Sequence, residues 1–340
     1  MIRIQVFAAC LLIFMFTACE SESRIVPLPK LPEAAVLIRV AYAINPRFPQ
    51  MTPAQIQLVL VSMRKAVMEN FGVTLEFSTV DIIPIASLFE KIPENKRAIY
   101  AKDIYDFRGN ANSRELEITF GLELKMAGES LEQMITYSRP YIGVLPEKSY
   151  TSLGSALAKY QLGGMEQWRK LVALDGKPSI DAHPYNEFMM WLALGYGEVP
   201  YELILTNQLI ASVETRSPGV HAALRGGYSN GVTTYNKQSR YGTMSVWSTY
   251  AFTANDAWTK KLREGEIYSA TEAAQLAGLS AAHEIGHQLF HLLHPYTQTS
   301  CIMYPVPMLA FRRWANNLSA KDCPLGSVPE MKPGAYQFYY

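Results

Sequence analysis

Neither sign of charge predominates in this chain: 31 lysines and arginines face 30 aspartates and glutamates, and no long basic run occurs. That excludes nucleic acid as the partner, because a phosphate backbone calls for a concentrated basic surface. Repeats and low-complexity tracts are also lacking. The apolar run from Val6 to Phe16 is too short for a permanent bilayer span, which takes roughly 20 residues. Cysteine is scarce, at 4 in 340 residues, and so is histidine, at 6. What is plentiful is apolar surface: at 49% hydrophobic residues the chain can bury a full core, and its length suits one large or two ordinary domains. Nothing in the composition argues for disorder.

The N-terminus reads as targeting rather than fold. Arg3 is the only charge before Val6 to Phe16, which has the length of a signal-peptide apolar region, so residues 1–18 are assigned to a signal peptide. Phe16-Thr17-Ala18-Cys19 resembles a bacterial lipobox, which implies that Cys19 becomes the lipidated first residue of the mature protein. Glu20 follows in place of an aspartate, so the resemblance implies a lipoprotein of the outer membrane; a plain cleaved signal and secretion is the alternative. Residues 19–34, with Pro27, Pro29 and Pro32, read as a lipid-anchored tether. With Cys10 removed and Cys19 lipidated, Cys301 and Cys323 remain, a pair able to close one disulfide in an oxidising compartment.

Residues 35–340 form the folded part. Ala35 to Ala43 reads as a strand, Thr52-Pro53 as the start of a helix running to about Asn70, and Val73 to Ile85 as a strand after Gly72, together a βαβ unit. Residues 86–200 are assigned to an insertion or subdomain, with a strand at Leu116 to Leu124 and helices at Tyr150 to Tyr160, Met165 to Leu174 and Tyr185 to Leu194. Strands are expected at Tyr201 to Val213 and Thr243 to Phe252. His183, before Pro184, and His221 are read as structural histidines. Ser269-Ala270-Thr271-Glu272 is a capping box that opens a helix of small and apolar residues, suited to the interior.

That helix carries the chemistry. His283, Glu284 and His287 spell H-E-x-x-H, which places two imidazoles one turn apart on one face with a carboxylate beside them. Chance produces roughly 0.01 such patterns in a chain of this length and histidine content, so the pattern points to a zinc site for hydrolysis. Two ligands do not hold a catalytic zinc, and a third is needed. His291 lies eight residues from His283, a rise of about 12 Å along a straight helix, which rules it out there. His294 fits if the helix ends before it, and Pro295 favours such an ending. Asp322 and Glu330, the acidic residues downstream, stay open as alternatives.

His283, Glu284, His287 and, one residue late, His294 resemble the metzincin signature H-E-x-x-H-x-x-G-x-x-H, and Cys301-Ile302-Met303 resembles its methionine-bearing turn. Ser245 to Tyr250 and Asp322-Cys323 add a likeness to archaemetzincins, over about residues 243–323. The resemblance implies an α+β zincin fold: a twisted mixed sheet, an active-site helix and a C-terminal subdomain with the Met-turn. It implies one Zn²⁺ held by His283, His287 and His294, Glu284 as general base, Met303 as a structural floor, and a peptide or protein substrate. Two departures stand out. Phe290 occupies the position of the family's glycine, so the turn must be made differently, with His291 one candidate for its left-handed residue, and too few cysteines are present for an archaemetzincin's second zinc. A gluzincin-type site using Glu330 or Asp322 is one alternative, and an inert surface-anchored binding lipoprotein another. The retained Glu284 argues against the second.

Overall fold

The run Ala35 to Ala43 divides at Arg39. Its backbone N–H donates to the Glu202 carboxylate (2.8 Å) and its guanidinium Nε to the same oxygen (2.9 Å), so the ladder breaks there. In the computed structural model, which describes residues 23–100, 113–126, 129–181, 185–211, 219–323, 325, 328 and 336–339, three strands open the chain: β1 (Ser23–Val26), β2 (Val36–Ile38) and β3 (Val40–Ile44). The signal segment with Cys19, His183 and Glu330 lie outside the described residues. Helix α1 (Pro53–Phe71) follows, with Thr52 and Gln55 completing a reciprocal capping box and Gly72 ending it in the left-handed conformation (φ 68°). It buries Ile56, Val59, Leu60, Met63 and Val67, and leaves Met68 exposed.

Strands β4 (Leu75–Phe77) and β5 (Asp81–Pro84) complete the βαβ start, pairing parallel with β2 and β3 respectively. Then come α2 (Ile85–Phe89), α3 (Glu94–Tyr100), α4 (Ser113–Met126), α5 (Leu131–Ile142), α6 (Tyr150–Trp168) and α7 (Phe188–Leu192). Leu116 to Leu124 is therefore helix, not strand. The alternation Leu116, Ile118, Phe120, Leu122, Leu124 hid a period of four: Leu116, Phe120 and Leu124 are buried, while Ile118 and Leu122 are half exposed. The two helices expected between Tyr150 and Leu174 are one, ending at Trp168.

The remaining elements are β6 (Leu203–Thr206), α8 (Val220–Leu224), β7 (Gly231–Tyr235), β8 (Thr243–Ser248), α9 (Tyr250–Thr253), α10 (Ala257–Leu262), α11 (Ala270–Phe290), α12 (Phe311–Asn317) and β9 (Tyr336–Tyr339). Both expected strands here are shorter. After Thr206 the chain turns into a buried polar segment in which Asn207 and Gln208 bond to Asn45, and after Ser248 it turns into α9, with Ser248 Oγ accepting from the Tyr250 N–H (3.2 Å). Residues 212 and 213 lie outside the described ones.

The fold is mixed α and β around a mixed sheet of order β5-β3-β6-β8-β7, parallel except for β7 at one edge, with separate pairs β2-β4 and β1-β9. Alternation along the central strands feeds two cores: Val40, Tyr42, Leu203 and Leu205 face α1 and α11, whereas Ala41, Ala43, Ile204 and Val246 face α2 and α7. A sheet buried on both faces reads as continuous apolar runs, which is how these strands look in sequence. Side chains of α4, α5 and α6 join the first core and those of α2 and α7 the second, so the described helices between residues 86 and 200 contribute to both cores. Among the described residues no helix is long and apolar enough to cross a membrane.

Candidate metal centre

Helix α11 starts on Ser269, whose hydroxyl accepts from the Glu272 N–H (3.2 Å). The reciprocal half of the box is missing, because the Glu272 carboxylate turns to Arg312 instead, with one bond of 2.8 Å to Nη2. The helix is fastened to the sheet by Gln288, which is fully buried. Its amide donates to the carbonyls of Glu202 (3.1 Å) and Thr243 (3.2 Å) and accepts from Ser245 Oγ (3.0 Å). One turn earlier, Glu284 is buried beside β7. Thr233 Oγ1 donates to its Oε2 (3.0 Å), and Gly231 makes room for it: a Cβ at Gly231 would stand 2.9 Å from Oε1 and 2.4 Å from Trp247 Cε3. Burial pushes the Glu284 carboxyl up to about 7, against the opposing effect of the Thr233 hydrogen bond.

The helix ends at Phe290, and His291 takes the left-handed conformation (φ 51°, ψ 37°). Its N–H still reaches the His287 carbonyl (3.1 Å), and the Leu292 N–H reaches back to that of Gly286 (3.3 Å), so the last carbonyls are not orphaned. Histidine is among the few non-glycine residues that tolerate this region. Phe290 is the last helical residue, and the left-handed residue that follows it stands three positions before the third histidine. The helix therefore ends before His294, with the break at His291 rather than next to Pro295.

His283, His287 and His294 are brought together by this turn. Their Nε2 atoms form a triangle, 2.9 Å from His283 to His294 and 3.0 Å from His287 to each of the others. His283 Nδ1 lies 2.9 Å from the Ile302 carbonyl and His287 Nδ1 2.5 Å from that of Leu292. A carbonyl only accepts, so both Nδ1 atoms carry the proton and both Nε2 atoms present bare lone pairs to one another. That contact is no hydrogen bond; a cation between the nitrogens reconciles it. Ligand nitrogens about 2.0–2.1 Å from a tetrahedral ion stand about 3.3 Å apart, so the triangle closes round a metal with a shift of a few tenths of an ångström. The three histidines are thus a group that could hold a metal ion.

Burial, and then mutual repulsion for His283 and His294, holds the trio in the neutral form a ligand needs. His287 is pushed down to about 4 and the other two well below the usual imidazole range. Asp322 is exposed in a turn and does not join the histidines. Met303 is fully buried beneath the helix. Gly286 permits this approach: a Cβ there would fall 2.2 Å from the Met303 sulfur and 3.1 Å from Phe71. Cys301 and Cys323 are bonded, their Cα atoms 4.7 Å apart, and so tie down the turn whose Ile302 carbonyl orients His283.

Three contributors went unread in the sequence. Tyr137 of α5 stacks edgewise on Tyr296 (4.9 Å), two residues past His294, and its hydroxyl donates to the Pro305 carbonyl. Thr233 faces Glu284 from the edge strand. His221, assigned a structural role, has its ring edge-on to His294 at 5.0 Å. None of the three carries a local motif; each is placed by the fold. No protein-family model, no curated protein and no solved structure matches this chain.

Proposed function

We propose that the protein is a zinc-dependent metallopeptidase of metzincin type. The observation that carries the reading is the pair of Nε2 lone pairs turned on one another by two carbonyl-anchored Nδ1–H groups, with His294 closing the triangle and a buried carboxylate one residue from a ligand. Three imidazoles and no thiolate suit Zn²⁺ and leave a coordination position for chemistry. Bound there, zinc supplies Lewis acidity, bringing the pKa of water towards about 7 and polarising a carbonyl.

Glu284 does the proton work. As the water oxygen adds to the scissile carbonyl carbon, the carboxylate takes the proton released and later delivers it to the departing amine nitrogen. Thr233 fixes one carboxylate oxygen, so the other is free to face the water, and exclusion of solvent by the surrounding β7 and β8 strands strengthens each of these contacts. Met303 positions the helix without touching substrate. On the lipobox resemblance, Cys19 is the lipid attachment site and the outer membrane of a bacterial envelope the location; radiolabelled fatty acid incorporated by wild type and not by Cys19→Ala tests that part.

Purified protein lacking its first 19 residues is expected to bind about one zinc per chain and to cleave an unstructured polypeptide such as casein. Glu284→Gln should keep the zinc and lose the cleavage by on the order of 10³-fold or more, as expected when a general base is removed. A wild-type chain that takes up no zinc ends the reading.

A further inference from the structure

Helix α8 brings two side chains to the metal centre that the hydrolytic reading above does not use. They stand four residues apart, His221 within α8 and Arg225 at its end. The His221 ring lies against His294 and is seated on Gly219, where a Cβ would stand 3.1 Å from its Cε1 and 3.5 Å from its Nδ1. Its Nδ1 is buried and makes no hydrogen bond. Arg225 is buried outright. Its acceptors are both neutral, Asn230 Oδ1 at 2.6 Å and the Val306 carbonyl, and its Nε has none. The charge is felt at His221, His283 and His294, where it disfavours a second positive charge.

A cation buried without an anion among the described residues, beside an imidazole with an unused nitrogen, is costly unless a ligand completes it. The missing partner has the chemistry of an oxyanion. We propose that α8 forms the anion-stabilising side of the centre: His221 donates a hydrogen bond to the oxygen that becomes negative when water adds to a carbonyl, and Arg225 is the positioning charge behind it. In that step the new C–O bond forms as the carbonyl π pair moves onto oxygen, and the water's proton goes to Glu284. His221 gives up no proton. An imidazole carries an N–H donor in either protonation state, so the assignment rests on placement alone. Gly219 then has a function, since any side chain there would displace the ring.

The inference rests on the metal-centre reading, and the test separates the two. Zinc content and zinc affinity of the full folded chain are measured first by chelator competition; failure to bind zinc is a failure of that reading. Binding of inorganic phosphate to the zinc-loaded protein is then followed by calorimetry. Wild type is expected to bind phosphate, His221→Ala to bind it at least tenfold more weakly, and His221→Gln, which keeps an N–H donor, to stay within threefold of wild type. Zinc affinity should change less than threefold in both variants. Arg225→Met should weaken phosphate at least fivefold, and Arg225→Lys should recover most of that loss. Equal phosphate affinity in His221→Ala and wild type, or no phosphate binding by the zinc-loaded wild type, overturns the proposal. A tenfold loss of zinc in His221→Ala does so too, since it makes His221 a ligand. A lysine variant no better than the methionine variant removes Arg225 from it.

Discussion

The two halves of the metal centre are built by different physics. His283, Glu284 and His287 share one helix, whose 3.6-residue period alone aligns them, and Gln288 fastens that helix to β6 and β8. His294 sits on a turn with no regular structure, held by the left-handed His291, by Tyr296 stacking on Tyr137, and by a neighbouring turn that a disulfide closes. The first half depends on local geometry and the second on contacts from residues far away in the chain. A ligand on the helix is in place once the helix forms; the third is in place only once the whole domain has folded.

Cutting one ligand from each half probes that contrast most strongly. Either His287→Ala or His294→Ala should weaken zinc by on the order of 10³-fold, since each removes one of three bonds from a binding free energy of roughly 10–16 kcal/mol. Zinc titrations followed by chelator competition measure both. The comparison sharpens if the metal-free His287→Ala protein loses helix stability while metal-free His294→Ala does not, and it breaks if His294→Ala leaves zinc affinity unchanged.

The helical half also holds a buried carboxyl at a cost. The Glu284 carboxyl, raised to about 7 from a usual 4.5, favours the folded state while protonated, so its contribution is complete below pH 4.5 and is lost as pH rises through 7. At pH 8 the metal-free protein should lack about 3 kcal/mol that Glu284→Gln retains, because the amide cannot ionise. Thermal melts of the two metal-free proteins should therefore diverge between pH 4.5 and pH 8, the variant melting higher. Coincident melts at pH 8 would mean that the carboxylate finds solvent and that the helix is less sealed against β7 than its burial indicates.

The same contrast decides what was legible in the sequence. The βαβ start, the helix start at Thr52-Pro53 and the H-E-x-x-H helix could be read because caps, proline at the first turn and periodicity are local signals. Helix α4 was misread because its alternate positions are all apolar, and only packing decides that Phe120 goes inside while Ile118 stays out. His291 as the turn residue followed from its tolerance of positive φ, but the exchange of Glu272 from its own cap to Arg312 did not, since Arg312 lies 40 residues on. Tyr137, Thr233 and His221 reach the centre through tertiary structure, and nothing in their neighbours along the chain announces it.

The disulfide joins the halves. Its loop has a sequence separation of 22, and by chain entropy Cys323→Ala should cost about 3 kcal/mol in denaturant melts. Because the bond anchors the turn whose Ile302 carbonyl orients His283, zinc affinity should fall as well, by about 10- to 100-fold. A stability loss with zinc affinity untouched would show that the helix holds its own ligand without help from the turn.

Tyr137 makes the smallest and most discriminating change. Tyr137→Phe keeps the ring against Tyr296 and removes only the hydroxyl from the Pro305 carbonyl, so stability should drop by about 1 kcal/mol, the usual worth of one buried hydrogen bond. Zinc affinity should then stay within about twofold, because the stacking that steadies the segment beyond His294 survives. Tyr137→Ala removes both contacts and should lower zinc affinity by about tenfold, the scale of an outer contact that orients a ligand. If Tyr137→Ala leaves zinc as tightly bound as wild type, the third ligand owes its position to the turn at His291 alone, and the half that looks dependent on the rest of the fold is as local as the helix.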